Sequence, residues 1–519
     1  MALPDVSRFL ALPKDRWRAL GVRLSAIGLE LGAVEAITRA VSNIPTPMRR
    51  PMRELHLRRA KGPAACAMRM MMFEDPITRA EAIDALGEPL LDEMVGCGLI
   101  ARDAEGRFVS PFLLNVYDDV FVLVDDLSHG GAAVMGSGAT TTALARATIP
   151  WQKTRSALDL GCGAGTLALL LARQVERVVG TDINPRAITL AKVNAMINGF
   201  DNVELREGDL FAPVAGETFD LITAQPPFVP MPEGATPATY LYGGRRGDEL
   251  ALRVLSELPP HLGEHGRAVL FTEWPMIEGS DETLENRVRS VIPSDALNVL
   301  LLRTPETNLD EHCTWYAAND HRTLGPEFAR LATTRREHFE RMKIRALHPT
   351  FNVIERAARR PAWTSTVDIR AIGGVAHAAV VTSARIDKLI AARDLLVHGD
   401  DDAILDSPLR VPKKTVFVEE RTEPDPNAET TMSARFSDTA LLPPLGLNQE
   451  AFGLISLIHS SDTVRAAAEF LAQALQTGHV PGAIRKVLPH AKEALLHGLL
   501  EVKPEPRAPV SATKKGGAS

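Results

Sequence analysis

Six residues of two types fall where they could do chemistry together: glycines at 161, 163 and 165, and acids at Asp159, Asp182 and Asp209. A carboxylate just before a glycine loop attracts cationic charge, and glycines let a ligand approach the main chain without meeting a Cβ. Asp182 follows Val178 and Val179 at the end of an apolar run, where its side chain can accept both hydroxyls of a ribose. Asp209 could accept the exocyclic amine of adenine, with the Leu210 amide offered to a ring nitrogen and Ile183 and Phe211 giving apolar surface for the ring faces. Taken singly, each acid also suits a helix cap or a solvated turn, and the glycine spacing serves a dinucleotide, a nucleoside or a plain strand-to-helix turn.

These residues need strands and helices to hold them. Ala157, Leu158 and Leu160 read as the end of a buried strand, and Thr166 onward reads as a helix facing a core. A second strand delivers Asp182, and Pro185 opens a helix to Asn198 at the position where a missing amide proton costs nothing. Val203 to Arg206 and Phe219 to Thr223 follow as strands, the latter leading into Gln225, Pro226, Pro227 and Phe228. Parallel strands with intervening helices make a doubly wound sheet, whose ligands bind beyond the carboxyl ends of the strands.

With those residues in place, the segment from Thr140 to about Trp274 resembles the class I S-adenosylmethionine-dependent methyltransferases. Within them it is similar to the "small domain" group, which includes release-factor glutamine methyltransferases and several ribosomal RNA methyltransferases. The likeness rests on the D-x-G-x-G-x-G loop, the acid after the second strand, Asp209-Leu210, the Pro-Pro-aromatic turn and GGRRGDEL at Gly243 to Leu250. The loop's form and the Pro-Pro-aromatic turn disfavour a nicotinamide dinucleotide. The resemblance implies S-adenosylmethionine as cofactor, held by Asp159, Gly161, Gly163, Gly165, Asp182, Ile183, Asp209, Leu210 and Gln225. It also implies a catalytic turn of Gln225, Pro226 and Phe228, in which a side-chain oxygen and the first proline's carbonyl accept hydrogen bonds from a planar NH2 group and the aromatic ring stacks on it.

One residue departs from the family's pattern. The turn usually begins with Asn, Asp or Ser, whereas Gln225 carries the same amide one methylene further out. Three readings follow: a displaced acceptor, an acceptor other than a planar nitrogen, or a domain that binds cofactor without fast chemistry. The expected function is methyl transfer to a planar nitrogen of a protein side chain or RNA base. An N- or O-methyltransferase acting on a specialised metabolite is the alternative, and a non-catalytic cofactor-binding scaffold is the rival of another class.

Composition sets outer limits. The chain has 519 residues, 45% of them hydrophobic and 24% charged, with a net charge of −7 that argues against coating nucleic acid by bulk electrostatics. It shows no long uncharged apolar run and no signal-peptide order at its start, which suggests a cytoplasmic protein without membrane partners. Cys66, Cys97, Cys162 and Cys313 lie far apart without ligand-spaced histidines, so neither a metal site nor a disulfide framework is expected.

The expected architecture is α/β: a Rossmann-like seven-stranded methyltransferase sheet flanked by an N-terminal winged-helix-like domain and a C-terminal α+β domain. Residues 1–126 form the first part, 127–345 the methyltransferase domain, 346–503 the C-terminal domain and 504–519 a disordered tail. Arg18 to Val41 and the basic Met48 to Lys61 read as helices, followed by three more and a hairpin, with a capping box at Thr78 and Glu81. The helix at Pro89 to Cys97 carries acids and no base, which repels a phosphate backbone and favours substrate gating or protein contact, while the basic Arg49 to Lys61 stretch keeps nucleic-acid contact open as the alternative. Gly138, Thr140 and Thr141 either cover the methionine end of the cofactor or cap a helix. Beyond the Pro-Pro turn, Arg267 to Thr272, Ala296 to Arg303 and Cys313 to Ala317 read as the fifth to seventh strands. In the C-terminal part, Thr366 to Arg370 and Ala376 to Thr382 read as strands, Glu419 to Pro444 as a linker, and Asn448 to Leu500 as a helical unit whose EALLHGLLEV ending echoes DEMVGCGLIAR.

Overall fold

Apolar runs without alternation mark strands buried on both faces, and they assemble into one mixed sheet. The computed structural model describes residues 3–38, 46–150, 153–292, 295–320, 325–369, 381–412, 415–421, 430–436, 445–476 and 478–503. Two compact units result, Met1–Ser383 and Ala384–Ser519.

In the first unit the sheet strands are β1 Thr154–Leu160, β2 Val175–Asp182, β3 Val203–Glu207, β4 Phe219–Ala224, β5 Leu262–Ile277, β6 Leu297–Arg303, β7 Ile344–Arg356 and β8 Thr364–Asp368. Their order in space is β8-β6-β7-β5-β4-β1-β2-β3. Strands β3, β2, β1, β4 and β5 run parallel, and β7 lies antiparallel between β5 and β6. The strand order reverses beside β1, where β2 lies on one side and β4 on the other, and a crevice opens there at the carboxyl ends. Alternate residues feed two cores: Leu158, Val179 and Ile222 meet Val254, Leu255 and Leu258 on one face, while Ala157, Val178 and Leu221 meet Ala168 and Leu171 on the other.

The Rossmann-like class holds, with three corrections near its end. Cys313 to Ala317 is not a strand but part of the helix Leu309–Asp320, started by Asn308, whose side-chain oxygen accepts from the Asp310 and Glu311 amides. An antiparallel strand, β7, stands between β5 and β6 and contains Pro349; this proline lies where β6 ends, so that its missing N–H interrupts no ladder there. The sheet has eight strands rather than seven, because β8 lies parallel to β6. The break expected at 345 therefore falls at the start of a sheet strand, and residues up to Ser383 belong with the sheet.

The N-terminal residues pack in the same unit. Arg18 to Val41 is not one helix: Lys14–Ala26 and Leu31–Thr38 are separated at Gly28 (φ 76°), and Val41 lies outside the described residues. Helices Thr46–Arg59, Pro63–Met72, Arg79–Leu86 and Glu88–Cys97 and the hairpin Ala101–Arg102/Phe108–Val109 follow in the expected order, with the capping box of Thr78 and Glu81 formed. The basic stretch is partly neutralised within the fold, since Arg50 pairs with Glu54 and Glu74, and Arg58 with Asp75.

A second hairpin, Leu113–Tyr117/Val120–Val124, abuts the helix Pro185–Ile197 and gives two asparagines their role. The Leu123 amide donates to Asn194 Oδ1 (2.8 Å) and Asn194 Nδ2 donates back to the Leu123 carbonyl (3.0 Å); Asn198 does the same for Phe121. Two side chains one helical turn apart thus take the place of a neighbouring strand. At the helix start, Arg186 forms a two-pronged ion pair with the buried Asp125.

In the second unit, helices Gln449–Ser461, Val464–Ala474 and Val480–Leu496 surround a core including Leu454, Ile458, Ala468 and Leu495. The expected linker is corrected in part, because Thr430–Phe436 pairs with Thr415–Arg421 and Leu445–Leu447 in a three-stranded sheet. Its remaining residues, most of Ala376 to Thr382, and the tail from Pro504 lie outside the described residues. The echoed endings share a geometry: Gly98 (φ 89°) and Gly498 (φ 64°) end their helices ahead of a buried leucine.

Candidate functional site

The crevice beside β1 contains a cavity of about 340 Å³. Asp159, Gly161, Gly163, Asp182, Ile183, Asp209, Leu210, Gln225 and Pro226 all line it, although they come from four strand ends.

Each glycine of the loop has a separate reason. At Gly161 (φ 72°) and Gly163 (φ 53°) an added Cβ would meet nothing within 4 Å, so the main chain lies bare toward the cavity. Gly165 (φ 85°) does not line it; a Cβ there would come within 3.1 Å of the Ala191 Cβ, so this glycine serves close helix packing. The loop is tied down by the Gly161 and Cys162 amides, which donate to the Thr181 carbonyl at 2.8 and 2.9 Å. Cys162 packs over Gly180, where a larger residue at either position would collide.

Burial shapes the acids. Asp159 is 2% exposed, accepts one hydrogen bond from the Ala168 amide (2.9 Å), and is pushed up to about 7 chiefly by its burial, with the nearby Asp182 charge adding to the rise. Asp182 accepts from the Gly163 and Asn184 amides, both at 2.8 Å, and burial still raises it above the ordinary carboxylate range. Asp209 is more open and pairs with Arg253 at 2.7 Å. Next to it, Leu210 has a left-handed backbone (φ 45°) and its carbonyl accepts from the Thr181 hydroxyl. Ile183 is 59% exposed at the cavity wall, an apolar side chain held where water would otherwise sit.

The turn after β4 is built in two layers. Phe228 is buried outside the cavity lining, its ring edge-on to Phe271 at 5.8 Å. The later Gly-Gly segment packs directly on the turn: a Cβ on Gly243 would lie 2.3 Å from the Pro227 carbonyl oxygen, and one on Gly247 2.3 Å from that of Phe228. This segment is held by Glu249, which accepts from the Arg246 and Gly247 amides, and by the buried Asp248, which pairs with Arg287 (3.0 Å) and Arg246 (3.2 Å). Glu249 and Arg246 thus bond within their own segment.

Some lining residues were not singled out from the sequence: Met135, Leu167, Tyr240 and Leu250. YLY, at residues 240–242 just ahead of the Gly-Gly segment, was the available signal for Tyr240. Of Gly138, Thr140 and Thr141, Thr141 lines the cavity, beside Gly136 and Ser137, while Gly138 and Thr140 do not.

This geometry fits S-adenosylmethionine: bare main chain at two glycines for a ligand's close approach, buried acids for its cationic and hydroxyl groups, and exposed apolar surface for its base. The fold and the site together define a class I methyltransferase. Residues 152–255 match a family model described as a methyltransferase domain. Over 137 residues the chain is 38% identical to a putative protein N5-glutamine methyltransferase of Methanocaldococcus jannaschii, covering 25% of this chain and 68% of that one. It is 34% identical to a release factor glutamine methyltransferase of Aliivibrio fischeri, covering 33% of this chain and 58% of that one. Against a ribosomal protein uL3 glutamine methyltransferase of Xanthomonas campestris the identity is 38%, with 22% and 42% covered. The chain belongs to the S-adenosylmethionine-dependent methyltransferase family. Among the described residues no helix is long and apolar enough to cross a membrane, and no cluster of ligands suits a metal ion.

Proposed function

We propose that the enzyme methylates the side-chain amide nitrogen of a glutamine in a protein partner. The supporting observation is that Gln225 and Pro226 stand on the same cavity as the glycine loop, in a chain whose matched relatives are named glutamine methyltransferases. Bound S-adenosylmethionine supplies an electrophilic methyl carbon on a sulfonium sulfur. The protein's own work is positional. Asp159 faces the cofactor's cationic amino end, Asp182 holds its ribose hydroxyls, and the main chain at Gly161 and Gly163 leaves room for its approach. Ile183 flanks the base, the Leu210 amide is offered to its ring nitrogen, and Asp209 accepts a hydrogen bond from its exocyclic amine, whereas Phe211, expected on a ring face, is stacked on His261 at 4.6 Å and lies outside the cavity lining. Gln225 and the Pro226 carbonyl hold the acceptor's NH2 group, and Phe228, wedged against Phe271, fixes the turn that carries them.

The acidic helix Glu88–Cys97 and the rest of the N-terminal elements would select the protein partner, and a partner of the kind named for the relatives, a release factor or a ribosomal protein, supports a cytoplasmic location. The test is incubation with methyl-labelled cofactor and a host extract, followed by digestion and mass spectrometry. Label recovered as N5-methylglutamine in a protein fraction supports the reading. Label in RNA or in a small molecule overturns it.

A further inference from the structure

Gln225 is one methylene too long for the usual geometry of its turn, yet its amide is held at both ends. Its Nε2 donates to the Thr140 hydroxyl at 2.8 Å, and the Thr141 hydroxyl donates to its Oε1 at 3.0 Å. Both threonines stand in the first turn of the helix Ala139–Thr148, whose cap residue, Gly138, makes no side-chain capping bond. That helix is itself keyed to the strand carrying the turn, since Thr148 and Thr223 bring their hydroxyls within 3.4 Å.

We propose that Thr140 and Thr141 are positioning residues that take up the extra methylene of Gln225 and fix the plane of its amide, so that it reads a carboxamide on the acceptor. A primary amide has two N–H donors and two acceptor lone pairs. The two hydroxyls occupy one of each. One N–H and one lone pair are left for a ligand, and a carboxamide offers the complementary C=O and N–H together. A carboxylate offers no N–H. The stiff χ1 of threonine keeps both hydroxyls in place before the acceptor arrives. This specificity rests on the glutamine reading above, whereas the hold on Gln225 does not.

Two measurements separate the parts. The full chain, labelled with 15N at glutamine side chains, is expected to show a Gln225 NH2 signal, assigned by its loss in Gln225→Asn, displaced from those of solvent-exposed glutamines. Thr140→Val should move that signal to the exposed position, and Thr140→Ser should leave it in place. A Gln225 signal unmoved by Thr140→Val overturns the positioning role whatever the acceptor. In the transfer assay with host extract, Thr140→Val is expected to lower kcat by about tenfold to about a hundredfold, with KM for the cofactor changed less than about threefold, and Thr140→Ser to restore the rate. Gln225→Asn restores the family's usual residue but cannot reach the two hydroxyls, so its rate should fall rather than rise. A rise, or wild-type label arriving only on groups other than carboxamides, overturns the amide-reading step, and the second result would overturn the proposed function with it.

Discussion

Asp159 offers a test whose size follows from its environment. Burial raises its carboxyl to about 7 in the free protein, and a cation placed against it favours the ionised form. The sign is fixed: cofactor affinity is full above that value and falls as the pH drops through it. At pH 6 about nine-tenths of the free protein holds the proton and at pH 8 about one-tenth, so the dissociation constant should be about tenfold larger at pH 6, or about 1.4 kcal/mol. Calorimetry at pH 7 in buffers of different ionisation enthalpy should register the release of about half a proton per cofactor bound. Asp159→Asn keeps the acceptor for the Ala168 amide but removes the charge. It should abolish the Asp159 share of the pH slope and proton release, and weaken binding at pH 8 by about tenfold or more. Asp182 is present in both proteins, so the difference between them isolates Asp159.

The same acid predicts an opposite effect on the free protein. A carboxyl whose folded value lies above its ordinary 3.8 binds its proton more tightly when folded, so stability falls as the pH rises from about 4 to about 7 and is level beyond. Asp159→Asn should therefore stabilise the cofactor-free protein by up to about 4 kcal/mol at pH 8, and hardly at all at pH 4. A melting difference between variant and wild type that is the same at pH 5 and pH 8, together with a pH-independent cofactor affinity, would refute the assignment of a buried, raised carboxyl facing a cation.

Further predictions concern the supports of the site. Asp182→Ala leaves the Gly163 and Asn184 amides without their acceptor, and calorimetry should find cofactor binding reduced by about a hundredfold or more. Arg287→Met removes one of the two guanidinium partners of the buried Asp248 carboxylate, leaving Arg246 as the other, and should destabilise the protein by about 1.5 to 3 kcal/mol in urea unfolding, an effect that adding Asp248→Asn should partly reverse. Asn194→Leu removes the partner of the Leu123 N–H and C=O and of the Ala164 carbonyl, and should cost about 2 to 4 kcal/mol by the same measurement. Asn198→Leu, nearer the surface, should cost less.

Where the chemistry is local, the sequence is a sufficient guide. The glycine loop, Asp182 at a strand end and Pro185 at a helix start each depend on a handful of adjacent residues, and the structure has those elements in those places. Local signals also mislead. CTWYAA looks like a short strand because Trp315 and Tyr316 are β-formers, but the cap at Asn308 and the acids Asp310 and Glu311 start a helix four residues before it. Pro349 hides a long strand for the reason that normally excludes one, and only the position where its neighbour ends makes it tolerable.

What no local pattern carries is the identity of a distant partner. Asn194 reads as an ordinary polar residue of a helix, yet its one side chain joins the Leu123 strand to the carbonyl of Ala164 in the cofactor loop, so an N-terminal hairpin bears directly on the loop's shape. Gln225 is the same kind of case. Its extra methylene is visible in the sequence as a misfit of length, but the hydroxyl that accepts from it comes from a residue 85 positions earlier. A substitution that breaks a local rule and finds its compensation across the fold is what a shifted but still preorganised site requires. Gln225 is therefore better understood together with Thr140 and Thr141 than as a departure at a single position: the three form one unit, and the consequence of changing any one of them depends on whether the other two are present.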